Sequence, residues 1–244
     1  MQCFRLRARL PAVALGGLLL LAACSAPGTT QPDPKRVLEQ AAEAMARVHS
    51  VALDAKFGAG ISVQGLQLQS ATSRLALPGQ SDTAFKVRRG DFLLDLRVVT
   101  VGGQVFIRLP FAQFTELSPA QAAEVPDLAR LLDPKTGLPG LLTSGREVRY
   151  EATEQMGGVS TDRVAAVYAP ADVGHLLGGL TPSSDVKALI WVGRDDHLVR
   201  RADLTASFGQ TGKPAAIEVD LHDFDRSVTI TPPAVPPPSA SPAT

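Results

Sequence analysis

The side chains able to do acid–base, metal or nucleophilic chemistry are few and scattered in this chain of 244 residues. Its four histidines, His49, His175, His197 and His222, fall on a helix end, a helix, a turn and a strand, and none has a second histidine at ligand spacing. Asp195-Asp196-His197 offers donors for a cation, but an Asp-Asp pair ahead of a strand is ordinary turn chemistry. His222, Asp223 and Asp225 have the types of an acid–base set, yet the alternation of the last strands turns them toward solvent. Lys135-Thr136-Gly137 and Ser184-Asp185-Val186-Lys187 spell the K-T-G and S-x-x-K of penicillin-binding enzymes. Their order is reversed, the serine enters a strand instead of opening a helix, and an S-D-N is impossible because the chain has no asparagine. There is no G-x-S-x-G elbow, P-loop or G-x-G-x-x-G run. The sequence therefore assigns no catalytic residue, no metal ligand and no cofactor, and predicts a protein that is not an enzyme.

Cys24 is the exception. Arg5, Arg7 and Arg9 form a basic start, Ala12 to Leu20 an apolar run too short for the roughly 20 residues of a membrane span, and Leu21-Ala22-Ala23-Cys24 resembles the lipobox of bacterial lipoproteins. Residues 1–23 are then a lipoprotein signal peptide, and Cys24 receives acyl chains such as palmitate on its sulfur and amino group. Two or more chains hold a protein stably, where one binds only marginally. The expected address is the cell membrane, lipid-anchored and facing the periplasmic or extracytoplasmic side. Cys3 leaves with the signal, so Cys24 has no partner for a disulfide.

From Cys24 onward the chain carries 21 basic and 24 acidic side chains, a net charge of −3, which does not favour nucleic acid as a partner. Residues 24–33 read as a flexible tether, 34–231 as one folded domain, and 232–244 as a Pro-rich disordered tail.

Within the domain the hydrophobic period changes once and then persists. Val37, Leu38, Ala41, Ala44, Met45 and Val48 recur at helical spacing over Pro34–His49, with Asp33 as cap and Pro34 in the first turn. From Val51 the period is two, over Val51–Phe57, Leu66–Leu77, Thr83–Arg89, Phe92–Thr100 and Gln104–Leu109. The stretch Pro119–Leu132 is helical in composition but broken at Pro126, and Leu138–Leu142 forms an apolar turn. Strands resume at Glu147–Gln155, Val159–Ala169, Val186–Val192, Leu198–Phe208, Ala215–Leu221 and Val228–Thr231, with a short helix at Pro170–Leu177. Ten or eleven strands and few helices predict an α+β fold: one large curved antiparallel sheet, a half-barrel, wrapped around helices. A two-sheet sandwich fits the helical insert poorly.

The inward positions are filled by Val, Leu, Ala and Ile with few aromatics, a composition that suits either a packed core or an apolar cavity. Alternation nominates Val51, Leu53, Ala55 and Phe57, then Leu66 and Leu68, then Val105 and Ile107 as wall. Helical Leu128, Leu131 and Leu132, with Leu138, Leu141 and Leu142, are expected to close the other side.

Several motifs line up in order. Leu132-Asp133-Pro134-Lys135-Thr136-Gly137-Leu138 resembles the L-N/D-P-x-T-G-L segment of the actinobacterial LppX/LprA/LprF/LprG lipoproteins. Gly60-Ile61 with Gly65-Leu66 resembles their turn after the first strand, Ile190-Trp191-Val192 with His197-Leu198 their V-W-I…H-x-L hairpin, and Val228-Thr229-Ile230-Thr231-Pro232-Pro233 their closing segment. The likeness runs from about Val37 to Pro233 and is of the LprG type. It implies a half-barrel enclosing a cavity for multi-acylated lipids, of glycolipid or triacylglycerol class. It also implies carriage of such lipids across the envelope, with an efflux transporter as a partner, and it places Phe85 and Val87 on the cavity-facing strand. Arg88-Arg89 ahead of Gly90 departs from the family pattern, beside the expected mouth. Similar half-barrels also serve as stress sensors or lipoprotein chaperones. A lipid carrier calls for a cavity above the roughly 300–1,000 Å³ of ordinary ligand sites.

Overall fold

The computed structural model describes residues 31–125, 128–177, 180–208 and 213–236, so Cys24, Pro126 and the last eight residues lie outside the described part. The elements run α1 (Pro34–Met45), β1 (Ser50–Phe57), β2 (Ser62–Val63), β3 (Leu66–Ala76), β4 (Gln80–Arg89), β5 (Phe92–Val101), β6 (Gln104–Arg108) and β7 (Phe114–Glu116). Then come α2 (Pro119–Ala122), α3 (Leu138–Thr143), β8 (Arg146–Met156), β9 (Val159–Tyr168), α4 (Pro170–Leu177), β10 (Val186–Gly193), β11 (Val199–Ser207) and β12 (Pro214–His222).

The strands form one open antiparallel sheet in the order β7-β6-β5-β4-β3-β1-β12-β11-β10-β9-β8, with β2 on β3. Each half is a chain of neighbouring hairpins, and the halves are stitched by β1 pairing the last strand, with Leu53 opposite Leu221, Ala55 opposite Val219 and Phe57 opposite Ile217. These pairs point to the concave face, where α3 and α4 close over them and α1 packs beside them on α3 and the β8–β10 part of the sheet. The fold is the expected half-barrel.

α1 begins as its sequence predicts. Asp33 accepts from the Lys35 amide at 3.0 Å and Pro34 occupies the first turn. Its buried stripe of Val37, Leu38, Ala41, Ala42, Ala44 and Met45 packs toward α3 and the β8–β10 part of the sheet. The helix stops at Met45, four residues before the predicted end, because the chain must turn at Ala46 and Arg47 to enter β1 at Ser50.

Three further expectations are corrected. Pro119–Leu132 is not a helix: α2 ends at Ala122, and Leu128, Leu131 and Leu132 sit in successive turns, with Leu131 N–H bonded to Leu128 O and Asp133 N–H to Arg130 O. Turns of this kind repeat every three residues as a helix does, and the residue before Pro134 resists helical geometry. Val228–Thr231 is not a strand. It lies extended on the convex face, where Val228 and Ile230 pack on Ala76, Val99 and Phe106 without a ladder. An extended chain on a sheet face buries alternate residues just as a strand does. Finally, the sheet has twelve strands, because the short β2 and β7 carry too few residues to show a period.

Candidate functional site

A hollow lies between the concave face of the central strands and the helical cover. Its floor is Leu53, Ala55 and Phe57 of β1 with Ile217, Val219 and Leu221 of β12, flanked by Phe85 of β4, Ile190 of β10 and Val199, Ala202 and Leu204 of β11. Its roof is Leu128 and Leu131 of the turns, Leu138, Leu141 and Leu142 of α3, and Val173, Leu176 and Leu177 of α4 with Leu180. The reason for a hollow is in one row across the sheet, Phe85–Ala71–Ala55–Val219–Ala202–Ile190. Three of these six are alanine, so the middle of the sheet carries little side chain where its flanks carry much.

The open space inside measures about 100 Å³, and about 970 Å³ when counted outward through the mouth and its solvent. The inner volume is below that of ordinary ligand sites, roughly 300–1,000 Å³, and short of the large cavity expected from sequence. The leucines of the cover fill much of the space that the alanines leave.

The sequence-predicted residues divide three ways. Leu53, Ala55, Phe57, Phe85, Leu128, Leu131, Leu138, Leu141 and Leu142 line the hollow. Leu66, Leu68 and Ile107 line a second, smaller hollow of about 80 Å³ that shares Phe85 with the first. Val51, Val87, Val105 and Leu132 are buried in the packed core and touch neither. The contributions of β9–β12 and α4 were missed in the sequence. Val173, Leu176 and Leu177 at helical spacing were available there as a signal.

Among the lining side chains only Tyr168 carries a polar atom. Its side chain is 1% exposed, and its hydroxyl is buried with no hydrogen-bond partner among the described residues. Burial pushes the phenol above its ordinary range, so it stays a protonated donor at any working pH. Gly145 makes room for it: a Cβ there would come within 3.2 Å of the Tyr168 ring and 3.3 Å of Ala166.

The motif Leu132–Leu138 builds the cover. Asp133 accepts from the amides of Lys135 at 2.9 Å and Thr136 at 2.7 Å, and these backbone bonds hold its carboxyl below the usual range. Gly137 and Gly140 have no room for a Cβ, which would strike the carbonyl oxygens of Leu131 and Asp133 at the first and of Lys135 at the second. His175 of α4 ties the two parts of the cover by its Nε2, 2.7 Å from the Thr136 carbonyl. Lys135-Thr136-Gly137 is thus part of a turn. Ser184 accepts the Ser207 amide at 3.0 Å, a strand-edge role.

The other polar groups are also spent on structure. Asp196 accepts the Leu198 amide at 3.1 Å and pairs with Arg200. His222 lies exposed between Asp54 at 3.1 Å and Asp223 at 3.3 Å, and Asp225 accepts the His49 amide at 2.7 Å. Trp191 sits on the convex face between Arg163 and Arg201, its indole N–H donated to Glu154. Among the described residues no group of His, Cys, Asp and Glu has the arrangement of a metal site.

Comparison with known proteins agrees with this geometry. The profile of the LppX_LprAFG lipoprotein family matches residues 33–230. The lipoarabinomannan carrier protein LprG of Mycobacteroides abscessus is 30% identical over 142 residues, covering 58% of this chain and 60% of that one. The protein of the same name from Mycobacterium tuberculosis H37Rv is 25% identical over 212 residues, 85% of each chain. The crystal structure of LprF from Mycobacterium bovis superposes with a TM-score of 0.66 at 15% identity, over 84% of this chain and all of that one. The crystal structure of the Mycobacterium tuberculosis lipoprotein LppX superposes with a TM-score of 0.54 at 19% identity, over 82% of this chain and all of that one. With the open twelve-stranded sheet, the covered apolar hollow and a profile match along the whole folded part, the chain belongs to the LppX_LprAFG lipoprotein family.

Proposed function

We propose that this protein is a membrane-anchored carrier that takes multi-acylated lipids, of glycolipid or triacylglycerol class, into the hollow and moves them across the cell envelope. Residues 1–23 are removed, acylated Cys24 holds the protein to the inner membrane on its extracytoplasmic side, residues 24–33 set its reach, 34–231 form the lipid-binding domain and 232–244 a tail. An efflux transporter fits as a partner at the donor membrane.

The observation that carries the reading is a covered hollow whose lining has one polar atom. Such a wall suits alkyl chains and offers nothing to a charged substrate. An acyl chain of about sixteen carbons gains on the order of 12 kcal/mol on leaving water, at roughly 0.8 per CH₂, so cargo passes between membrane and cavity without free release. The cavity has to match the bilayer closely, because a much tighter site never gives its lipid up. The volume of about 100 Å³ is too small for such an acyl chain, so loading requires the cover of Leu128–Thr143 and α4 to lift from the sheet. Tyr168 then meets an ester or hydroxyl oxygen where chains join their head.

The closed volume of about 100 Å³ also favours a second reading, an envelope interaction module such as a stress sensor or lipoprotein chaperone that carries nothing. Solvent extraction of the purified protein, with native mass spectrometry, separates the two: carriage predicts a near-stoichiometric multi-acyl lipid in the wild type and less in Phe85→Trp with the fold retained. A wild-type protein free of lipid after purification from its own membranes supports the interaction module and ends the carrier reading.

A further inference from the structure

At one end of the sheet the apolar surface turns outward. Antiparallel pairing brings the β4–β5 turn and the β6–β7 loop to the same end, and there Phe92 is 73% exposed, Leu93 56%, Leu109 49% and Phe111 fully exposed. Phe111 also has a φ of +61°, a conformation that an aromatic residue adopts only at a cost. Neither the exposure nor the strain benefits a domain surrounded by water. Arg88 and Arg89 flank the same turn, exposed and in no ion pair among the described residues, and Arg108 stacks over Phe114 at 5.2 Å. Of the two carboxylates beside them, Asp91 has no ion pair among the described residues and Asp95 is held by Lys86 at 3.1 Å. A chain that is net acidic from Cys24 onward therefore gathers cations around its most exposed aromatics.

We infer that this end of the sheet is a membrane-docking tip that seats Phe92, Leu93 and Phe111 among the acyl chains of an anionic bilayer, with Arg88 and Arg89 on its head groups. Aromatic and aliphatic groups ringed by arginine are the chemistry of an interfacial anchor, which penetrates about 5–10 Å. The tip also leads inward. Leu109 lines both the shallow groove at the tip and the smaller hollow, and Phe85 lines both the smaller hollow and the main one. Docking thus sets the bilayer beside a series of hollows joined through Leu109 and Phe85, the latter bordering the main hollow. The docking itself does not depend on what the cavity holds.

The test uses the full chain reconstituted into vesicles with brominated acyl chains, of phosphatidylcholine with phosphatidylglycerol or of phosphatidylcholine alone. Phe92→Trp and Phe111→Trp report insertion, and the native Trp191, 6% exposed on the convex face, serves as the unquenched reference for the fold. Both introduced tryptophans are expected to be quenched in the anionic vesicles. Adding Arg88→Ala with Arg89→Ala lowers the docked-to-undocked ratio roughly 25-fold, at about fivefold per cation. Three results overturn the inference: no quenching in either vesicle with the Trp191 signal intact, equal quenching in both vesicles and in the arginine variants, or concentration-dependent shielding of the tryptophans without vesicles, as a second copy covering the tip produces. None of these readouts involves cargo, so the docking tip can fail while carriage stands, and the reverse.

Discussion

Among the described residues Tyr168 places the only polar atom of the hollow's lining and its hydroxyl meets no hydrogen-bond partner, and an unpaired buried hydroxyl costs about 1–3 kcal/mol. Tyr168→Phe is therefore expected to stabilise the lipid-free protein by about that amount in denaturant unfolding, and to lower retained lipid several-fold in extraction. A destabilised phenylalanine variant with unchanged lipid would show that the hydroxyl has no ligand. Asp82 is the opposite case. Arg97 donates to it twice, at 2.7 and 2.6 Å, and this outweighs burial and holds its carboxyl below the ordinary range, with Arg74 adding at 3.0 Å. A depressed native value means that the contribution is complete above the unfolded value of about 3.9 and is lost as pH falls through the native one. The melting-temperature gap between wild type and Asp82→Asn should be widest near neutrality and close as the pH drops below about 4. Neither role was legible in sequence. Tyr168 reads there as one more strand residue, and Asp82 meets Arg97 only through the β4–β5 register.

At the scale of elements, the strands of both halves are legible as alternation, but which residues face the hollow is not wherever a bulge changes the parity. A bulge between Leu68 and Ser70 shifts the inward positions of β3 from Leu66 and Leu68 to Ala71 and Leu75, and another opposite Trp191 and Val192 puts Val199 and then Ala202 on one face. Strict alternation cannot follow a parity change, so β11 yielded no wall residues from its sequence. The cover is a run of turns over Leu128–Leu132 where a helix is expected, because turns and helices share a three-residue spacing. Its glycines make a firm prediction: Gly137→Ala forces a Cβ onto the backbone of Leu131 and Asp133 and costs about 1–3 kcal/mol, read as a lowered unfolding midpoint. His175→Ala removes the tie to Thr136 while leaving the core intact, and should raise the rate of lipid exchange with vesicles without a comparable fall in stability. An unchanged exchange rate would place the moving part elsewhere.

For the whole molecule, the proposed carrier joins a place, a path and a compartment: the proposed acyl anchor on Cys24, the proposed docking tip, and a hollow made where alanines thin the middle of the sheet. The hollow is small when closed, so its capacity depends on the cover lifting and on nothing else filling the alanine row. Ala55→Leu with Ala202→Leu fills that row and is expected to keep the fold while abolishing lipid retention. The central claim is that alkyl chains lie between β1–β12 and the α3–α4 cover. A triacylated lipid with a diazirine near the chain end, photolysed in the protein and mapped by peptide mass spectrometry, tests it directly. The account predicts adducts on peptides carrying Leu53–Phe57, Ile217–Leu221 and Leu138–Leu142, reduced in the filled variant. Adducts confined to the convex face around Trp191, or equal labelling of the filled variant, would contradict it.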